Sequence, residues 1–240
     1  MGKAVDKPIH TYYDLRFERK FVFKGVYLED LIHQVVFSNS FGFNEIFHRR
    51  SVNNIYFDDA AYSFYHQNVA GDGDRKKYRL RWYGDDLNTI SDPRMEIKKK
   101  YGVIGDKYAR KLKGLNFDLK TQTPDAVRLE VVKALEQNGE SLLAVDLLRL
   151  SPTLINRYER RYFLSACGRF RITLDYNMQF YNPNYQNFMN SEFTLANKET
   201  IFELKYKPEF DDECRKLTQR LKNRVSKNSK YVTGIDCISN

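Results

Sequence analysis

The chain has 240 residues, of which 42% are hydrophobic and 30% charged, which fits one folded domain and excludes disordered and fibrous proteins. Lysine and arginine number 40 against 31 acidic residues, and this excess of nine positive charges predicts an anionic partner. No apolar run approaches the roughly 18 residues of a membrane span, and the opening residues lack the apolar core of a secretory signal. We therefore expect a cytoplasmic protein, with a single domain over residues 1–240 and an ordered core of about 12–236.

The pattern of apolar residues predicts strands that follow one another through turns or single helices. Strands are predicted at 15–24, 50–57, 75–84, 94–101, 107–113, 154–166, 169–177 and 199–207. Helices are predicted from Leu28 to Val36, from a cap at Asp58 or Asp59 to His66, from Thr123 to Asn138, and from Phe210 to Val225. The polar stretch 182–197 is predicted to be a loop. This order indicates an α+β fold with a large antiparallel sheet.

Charged residues in these strands fall on one face, because residues i and i+2 of a strand point to the same side. In the strand 75–84, all the charged residues from Arg75 to Arg81 at odd positions lie on one face, and apolar residues lie on the other. Its cationic face carries Arg75, Lys77, Arg79 and Arg81, opposite Tyr78, Leu80 and Trp82. Other groups that share a face are Arg16, Glu18 and Lys20; Glu96, Lys98 and Lys100; Arg169, Arg171, Thr173 and Asp175; and Glu203, Lys205 and Lys207.

These cationic faces have two interpretations. Each could be the solvated side of a sheet, but solvated faces mix charge signs, and like charges ~5 Å apart on neighbouring strands cost about 3 kcal/mol per pair at a dielectric constant of ~20. A sheet of about eight strands closed into a barrel would instead gather the cations around a slender anion in its interior. We therefore predict an antiparallel closed β-barrel that forms a basic tunnel, with flanking helices.

A series of motifs in chain order resembles one known family. The motifs are RFERKF (16–21), NIYFD (54–58), KYRLRWYG (77–84), EIKKK (96–100), RYERRYF (157–163), RFRITLD (169–175), FELKYK (202–207) and SKNSKYVTGI (226–235). Together they resemble the VTC domain, the polyphosphate-polymerase branch of the CYTH or triphosphate tunnel metalloenzyme superfamily. The resemblance spans nearly the whole chain and implies a tunnel lined by arginine and lysine, with an acidic metal site.

The resemblance implies roles for individual residues. Candidate phosphate-binding residues are Arg16, Lys20, Arg79, Arg81, Lys98, Lys107, Arg160, Arg171, Lys205 and Lys230, with Arg110 and Lys111 as alternatives to Lys107 in the fifth strand. Candidate catalytic residues are Lys98, Arg160, Arg171 and Glu203. Glu203 resembles the family's metal ligand. From their chemistry, Glu18, Glu96 and Glu203 are all candidate oxygen ligands for Mg²⁺ or Mn²⁺, or else salt-bridge partners of neighbouring lysines.

The first motif departs from the wider superfamily, whose hydrolytic and cyclase members typically open with E-x-E-x-K. In this chain Arg16 stands in the position of the first acid, ahead of Glu18 and Lys20. The loss of one carboxylate favours a single catalytic metal ion. Arg16, the added cation, favours binding of an extended anion by adding one more contact along the first strand.

We therefore predict a metal-dependent phosphotransferase that uses Mn²⁺ or Mg²⁺ to move the γ-phosphoryl group of ATP onto polyphosphate, with pyrophosphate as a further ligand. Two alternatives stay open: a hydrolase of tripolyphosphate or an organic triphosphate, and a non-catalytic polyphosphate-sensing domain. Nucleic acid is not expected, because the aromatic residues largely lie opposite the cations. Translocation of a product would need a membrane-protein partner.

Overall fold

Antiparallel strands form most of the chain in the computed structural model, which describes residues 16–101, 104–183, 192–194, 199–219, 221 and 223–239. The strands are β1 (Phe17–Phe23), β2 (Asn44–Asp58), β3 (Arg75–Tyr83), β4 (Thr89–Ser91), β5 (Arg94–Tyr101), β6 (Ile104–Lys111), β7 (Asn116–Asp118), β8 (Ser151–Leu164), β9 (Arg171–Tyr181), β10 (Glu192–Thr194) and β11 (Thr200–Tyr206). All eight predicted strands are present, and β4, β7 and β10 are additional short ones. The α+β class is therefore confirmed.

The helices lie between and after these strands. They are α1 (Leu28–Leu31), which continues as a π-helical turn over Ile32–Phe37, α2 (Ser63–Ala70), α3 (Pro124–Gln137), α4 (Ser141–Leu148), α5 (Asp211–Thr218) and α6 (Lys230–Ser239), with a 3₁₀ turn over Pro208–Phe210. The cap of α3 is as predicted, since Thr123 Oγ1 accepts a hydrogen bond from Ala126 N. The Asp58 carboxylate accepts from amides at the start of α2. Of the helices described, none is long and apolar enough to cross a membrane.

Several predicted boundaries are wrong. The predicted helix from Phe210 to Val225 ends at Thr218, and α4 and α6 were not predicted. Both missed helices are short, and α6 buries only Tyr231, Gly234 and Ile235 after a polar stretch, too few positions to establish a helical period. β10 lies inside the predicted loop 182–197 and pairs with β9. The rest of that loop from residue 184 on, like the predicted start of the ordered core near residue 12, lies outside the described residues.

The large sheet has the strand order β1-β11-β9-β8-β2-β3-β5-β6, and every neighbouring pair is antiparallel. The sheet is strongly curled. Five strands separate β5 from β1 in this order, yet Lys98 Nζ on β5 lies only 3.8 Å from Glu18 Oε2 on β1. One face of the sheet is therefore concave, and side chains from distant strands meet there.

The predicted closure into a barrel is wrong. Among the described residues, β1 pairs only with β11 and β6 only with β5, so the sheet stays open at these two edges. Closure requires the number, tilt and stagger of the strands to match. The alternation of residue types within each strand indicates which face a side chain occupies, but it holds no information about whether the two edge strands pair.

Helices cover the convex face of the sheet. α3 and α4 pack on β3 and β5 in a core that includes Tyr78, Trp82 and Met95. α1, its π-helical continuation and α5 pack on β1, β9 and β11 in a second core that includes Phe21 and Leu204. The apolar residues predicted to lie opposite the cations are thus buried, which leaves the cations on the concave face.

α6 occupies one end of the concave face. Its Tyr231 and Ile235 pack with Tyr56, Leu154 and Phe180 of the sheet in a third core. The segment that leads into α6 lies beside β1, where the Ser226 amide donates to the Lys20 carbonyl at 2.8 Å. The C-terminal segment therefore covers this end of the curl.

Gly234 sets the distance between α6 and the sheet. A Cβ at this position would lie 2.7 Å from Phe180 Cδ1 and still closer to Leu154 Cδ2. We expect Gly234→Ala to lower the free energy of unfolding by about 1–3 kcal/mol, because the packed sheet residues must move. Urea unfolding measures this change. Thr233→Ala, one position along the same helix, is the control and should change stability less; an equal effect would contradict the tight approach.

Candidate functional site

The concave face of the sheet, which we call the basic groove, gathers charged side chains from seven strands and the start of α6. Its cations are Lys20, Lys77, Arg79, Arg81, Lys98, Lys107, Arg160, Arg171, Lys205 and Lys230. Its carboxylates are Glu18, Glu96, Asp175 and Glu203. These ten cations exceed these four carboxylates by six formal positive charges.

Two carboxylates share their lysines where β1 and β11 pair. Lys20 Nζ lies 2.7 Å from Glu18 Oε1 and 3.6 Å from Glu203 Oε2. Lys205 Nζ lies 2.5 Å from Glu203 Oε1 and 3.5 Å from Glu18 Oε2. Burial alone would raise the pKa of Glu203, but Lys205 and Lys20 outweigh it and hold the pKa well below its ordinary value. Glu203 is therefore ionised at neutral pH.

Glu96 forms a separate centre with three cations from β3 and β6. Arg79 Nε donates to Glu96 Oε2 at 2.6 Å, Lys107 Nζ lies 3.0 Å from Oε1, and an Arg81 nitrogen lies 3.8 Å from Oε2. Burial would raise the pKa of Glu96, yet Arg79 and Arg81 lower it below its ordinary value. Arg81 is fixed further, because its Nε donates to Asn54 Oδ1 and another nitrogen donates to Tyr158 OH.

Asp175 organises the third centre, at the end of the groove covered by α6. Arg160 donates to both Asp175 oxygens, at 2.5 and 2.7 Å, and Lys230 Nζ lies 2.5 Å from Oδ2. Asp175 is fully buried, and Lys230 Nζ lies 4.7 Å from the centroid of the Tyr158 ring. Burial would raise the pKa of Asp175, but Arg160 and Lys230 lower it.

Two polar groups of β9 have no hydrogen-bond partner among the described residues. Arg171 Nε and Thr173 Oγ1 are both buried and unsatisfied. They belong to the β9 face that also carries Asp175, and the Arg171 guanidinium lies 5.8 Å from the centroid of the Tyr162 ring. Both groups can donate a hydrogen bond, and a buried donor without an acceptor is costly. An oxygen of a bound anion is an acceptor that would satisfy them.

The basic groove contains twelve of the thirteen predicted site residues, all but Arg16. Arg16 is exposed and directly precedes β1. Of the three candidates in β6, Lys107 reaches Glu96, whereas Arg110 bonds to the Asn138 carbonyl and Lys111 to Asp92. The structure therefore assigns the groove position of this strand to Lys107.

Some site residues were missed, and one predicted facing is wrong. Asp175, Lys77 and Tyr158 lie in the groove, although none was a predicted site residue. The signal was present, since Asp175 shares the Arg171 face, but alternation alone does not indicate which partner a residue contacts. Arg169 does not share the Arg171 face, because it precedes β9 and pairs with Glu213 of α5 at 3.0 Å.

Glu18 and Glu203 fit a divalent cation by their chemistry. Oxygens of both carboxylates already surround one positive charge, the Lys20 ammonium. Hard cations such as Mg²⁺ take carboxylate oxygens and complete their shell with phosphate oxygens and water. Glu96 pairs with other cations, namely Arg79, Arg81 and Lys107. No group of three or more His, Cys, Asp or Glu residues that could hold a metal occurs in the described chain.

Comparison with known proteins identifies one family. The family model of the VTC domain matches residues 16–239. Similar solved structures include a Vibrio parahaemolyticus protein provisionally called an adenylate cyclase, with 12% identity, a TM-score of 0.48 and coverage of 93% of this chain and 98% of that chain. Another is the PH1819 protein from Pyrococcus horikoshii, with 11% identity, a TM-score of 0.46 and coverage of 92% and 99%. No curated protein matches the chain.

Proposed function

The chain belongs to the VTC-domain family, and from this premise we propose that it is a metal-dependent phosphotransferase that makes polyphosphate from the γ-phosphate of ATP. The observation that carries the proposal is the charge excess of the basic groove together with the unsatisfied donors of Arg171 and Thr173. An extended chain of phosphates offers both the negative charge and the acceptor oxygens that these side chains lack.

The triphosphate is the part of ATP that the groove suits. The sequence has no GxxxxGK[ST] motif, so a nucleotide is not held by a P-loop. Arg79, Arg81 and Arg171 present guanidinium groups, which bind phosphate oxygens through paired hydrogen bonds. Because Asn54 and Tyr158 fix the Arg81 side chain, it is oriented before a ligand arrives.

The transfer needs no covalent protein nucleophile. An oxygen of the terminal phosphate of polyphosphate attacks the γ-phosphorus of ATP, the bond from that phosphorus to the β–γ bridging oxygen breaks, and ADP leaves with the bonding electrons. The groove aligns both phosphates and neutralises their charge, which are the main contributions in phosphoryl transfer. A divalent ion, Mn²⁺ or Mg²⁺, held by Glu203 and Glu18 would add positive charge at the triphosphate oxygens.

Incubation with ATP and Mn²⁺ tests the proposal. We expect long polyphosphate on a gel and little free phosphate early in the reaction. Rapid release of phosphate from tripolyphosphate, without any product longer than the substrate, would favour the hydrolase and overturn the polymerase. Tight binding of polyphosphate without either activity would instead indicate a sensing domain.

Arg16 offers a prediction that separates elongation from hydrolysis. Elongation needs a grip on a long anion, and Arg16 places a cation directly before the strand that carries Glu18 and Lys20. We expect Arg16→Glu to shorten the polyphosphate products or shift them towards free phosphate, as judged by gel and phosphate release. Arg16→Lys keeps the charge and is the control. Unchanged product length in Arg16→Glu would remove Arg16 from the substrate path.

A further inference from the structure

Lys77 is a half-buried cation of the basic groove with no carboxylate partner among the described residues. Its Nζ donates a 2.8 Å hydrogen bond to Ser229 Oγ. The charged groups that act on it most strongly are Lys20 of β1, Lys98 of β5, and Arg75 and Arg79 of its own strand. All four are positive, which distinguishes Lys77 from Arg79 and Arg160, whose charges are balanced by Glu96 and Asp175.

The carboxylate of the neighbouring strand β2 does not turn towards Lys77. Asp58 follows the β2 partner of Tyr78, so it lies at the end of the β2–β3 pairing next to Lys77. Its oxygens accept hydrogen bonds from the amides of Phe64 and Tyr65 and from the Tyr231 hydroxyl. Asp58 therefore stabilises α2 and α6, and the charge at Lys77 is left without a counter-ion.

Ser229 adds a hydrogen-bond donor beside this charge. It caps α6, since its carbonyl accepts from Thr233 N at 2.9 Å and its Oγ accepts from Val232 N at 3.4 Å. Its Oγ also accepts from Lys77, so both lone pairs are in use and the hydroxyl hydrogen is left to donate. An ammonium group and a hydroxyl donor thus lie 2.8 Å apart, in a half-buried position with excess positive charge.

We propose that Lys77 and Ser229 form a further phosphate-binding subsite, which holds one phosphoryl group of a condensed phosphate at the end of the groove next to α6. The subsite rests on the proposed function, because it takes the same anion that the basic groove takes. It lengthens the row of phosphate contacts beyond Arg79 and Arg81 along β3.

Binding at this subsite is coupled to a proton. Burial and the repulsion from Lys20 and Lys98 lower the pKa of Lys77 to about 7. A phosphate beside it favours the charged form and raises that pKa. Above about pH 7, binding therefore takes up one proton from solution at Lys77 Nζ, and the affinity for phosphate falls as the pH rises.

Calorimetric titration with tripolyphosphate in EDTA, at about pH 6.5 and about pH 8.5, tests the subsite. We expect Lys77→Met to bind roughly tenfold more weakly at the lower pH, with a smaller loss at the higher pH. Lys77→Arg should keep its affinity at the higher pH, because arginine stays charged. Lys76→Met, from the next position of β3, is the control and should bind like the wild type. The titration of the ligand itself cancels in these ratios.

Two results would overturn the subsite: wild-type affinity of Lys77→Met at both pH values, or the full wild-type pH dependence in Lys77→Arg. The second applies even if Lys77→Met does not fold. Arg171→Met separates this failure from that of the proposed function. If Arg171→Met weakens binding and Lys77→Met does not, only the subsite is wrong. If neither variant weakens binding, the groove does not hold the anion, and both proposals fail.

Discussion

Glu203→Gln is expected to reduce ATP turnover by about 100-fold or more, while tripolyphosphate binding stays equal or becomes tighter. The substitution keeps the shape of the side chain but removes the charge that Lys20 and Lys205 surround. Loss of one negative charge from the groove favours an anion, whereas a divalent cation loses a ligand. Opposite changes in the two measurements therefore indicate a metal ligand rather than a partner of the lysines.

Turnover is measured as polyphosphate formed at increasing Mn²⁺, and binding by calorimetry without metal. Glu45→Gln is the matched control, because Glu45 also pairs with a cation, Arg161, but lies outside the groove. Full turnover in Glu203→Gln, with no change in the Mn²⁺ requirement, would show that Glu203 serves only to balance the lysines.

Asp175→Asn is expected to lower the free energy of unfolding at neutral pH by roughly 3–5 kcal/mol, because it leaves the largely covered side chains of Arg160 and Lys230 without their buried counter-charge. For a chain of this size the melting temperature should fall by about 10 °C. Tripolyphosphate should restore more stability to this variant than it adds to the wild type, because the anion replaces the missing charge.

The pH dependence of this difference follows from the lowered pKa of Asp175. A carboxylate whose pKa is lower in the folded state contributes stability that is present above its unfolded pKa of about 3.9 and is lost as the pH falls through the folded value. The gap between wild type and Asp175→Asn should therefore be full at neutral pH and shrink in acid.

Asp211→Asn is the control for this experiment. Asp211 pairs with Arg19 at 2.8 Å on the convex side and is partly exposed, so its loss should cost about 1 kcal/mol or less. If Asp175→Asn melts with the wild type and gains nothing extra from tripolyphosphate, the buried pairing of Asp175 does not hold the groove together.

The sequence by itself determined which residues share a face. Alternation with period two is a local property of an extended backbone, so Arg79 and Arg81 had to lie together, opposite Tyr78 and Trp82. The number of cations on such faces predicted an anionic ligand, because like charges at strand spacing repel. The residues that carry the family resemblance follow the same local pattern, which is why twelve of the thirteen predicted site residues meet in the groove.

Only the tertiary structure decided how these faces meet. The curl and register of the sheet decide whether β1 pairs with β6 and which of three cations in β6 reaches Glu96. They also decide that Glu18 shares its lysines with Glu203. Asp175 and Lys77 show the same limit. Asp175 has two cationic partners, whereas Lys77 has no carboxylate partner among the described residues. Contacts between residues far apart in the chain depend on the path of the whole backbone, and no local pattern encodes that path.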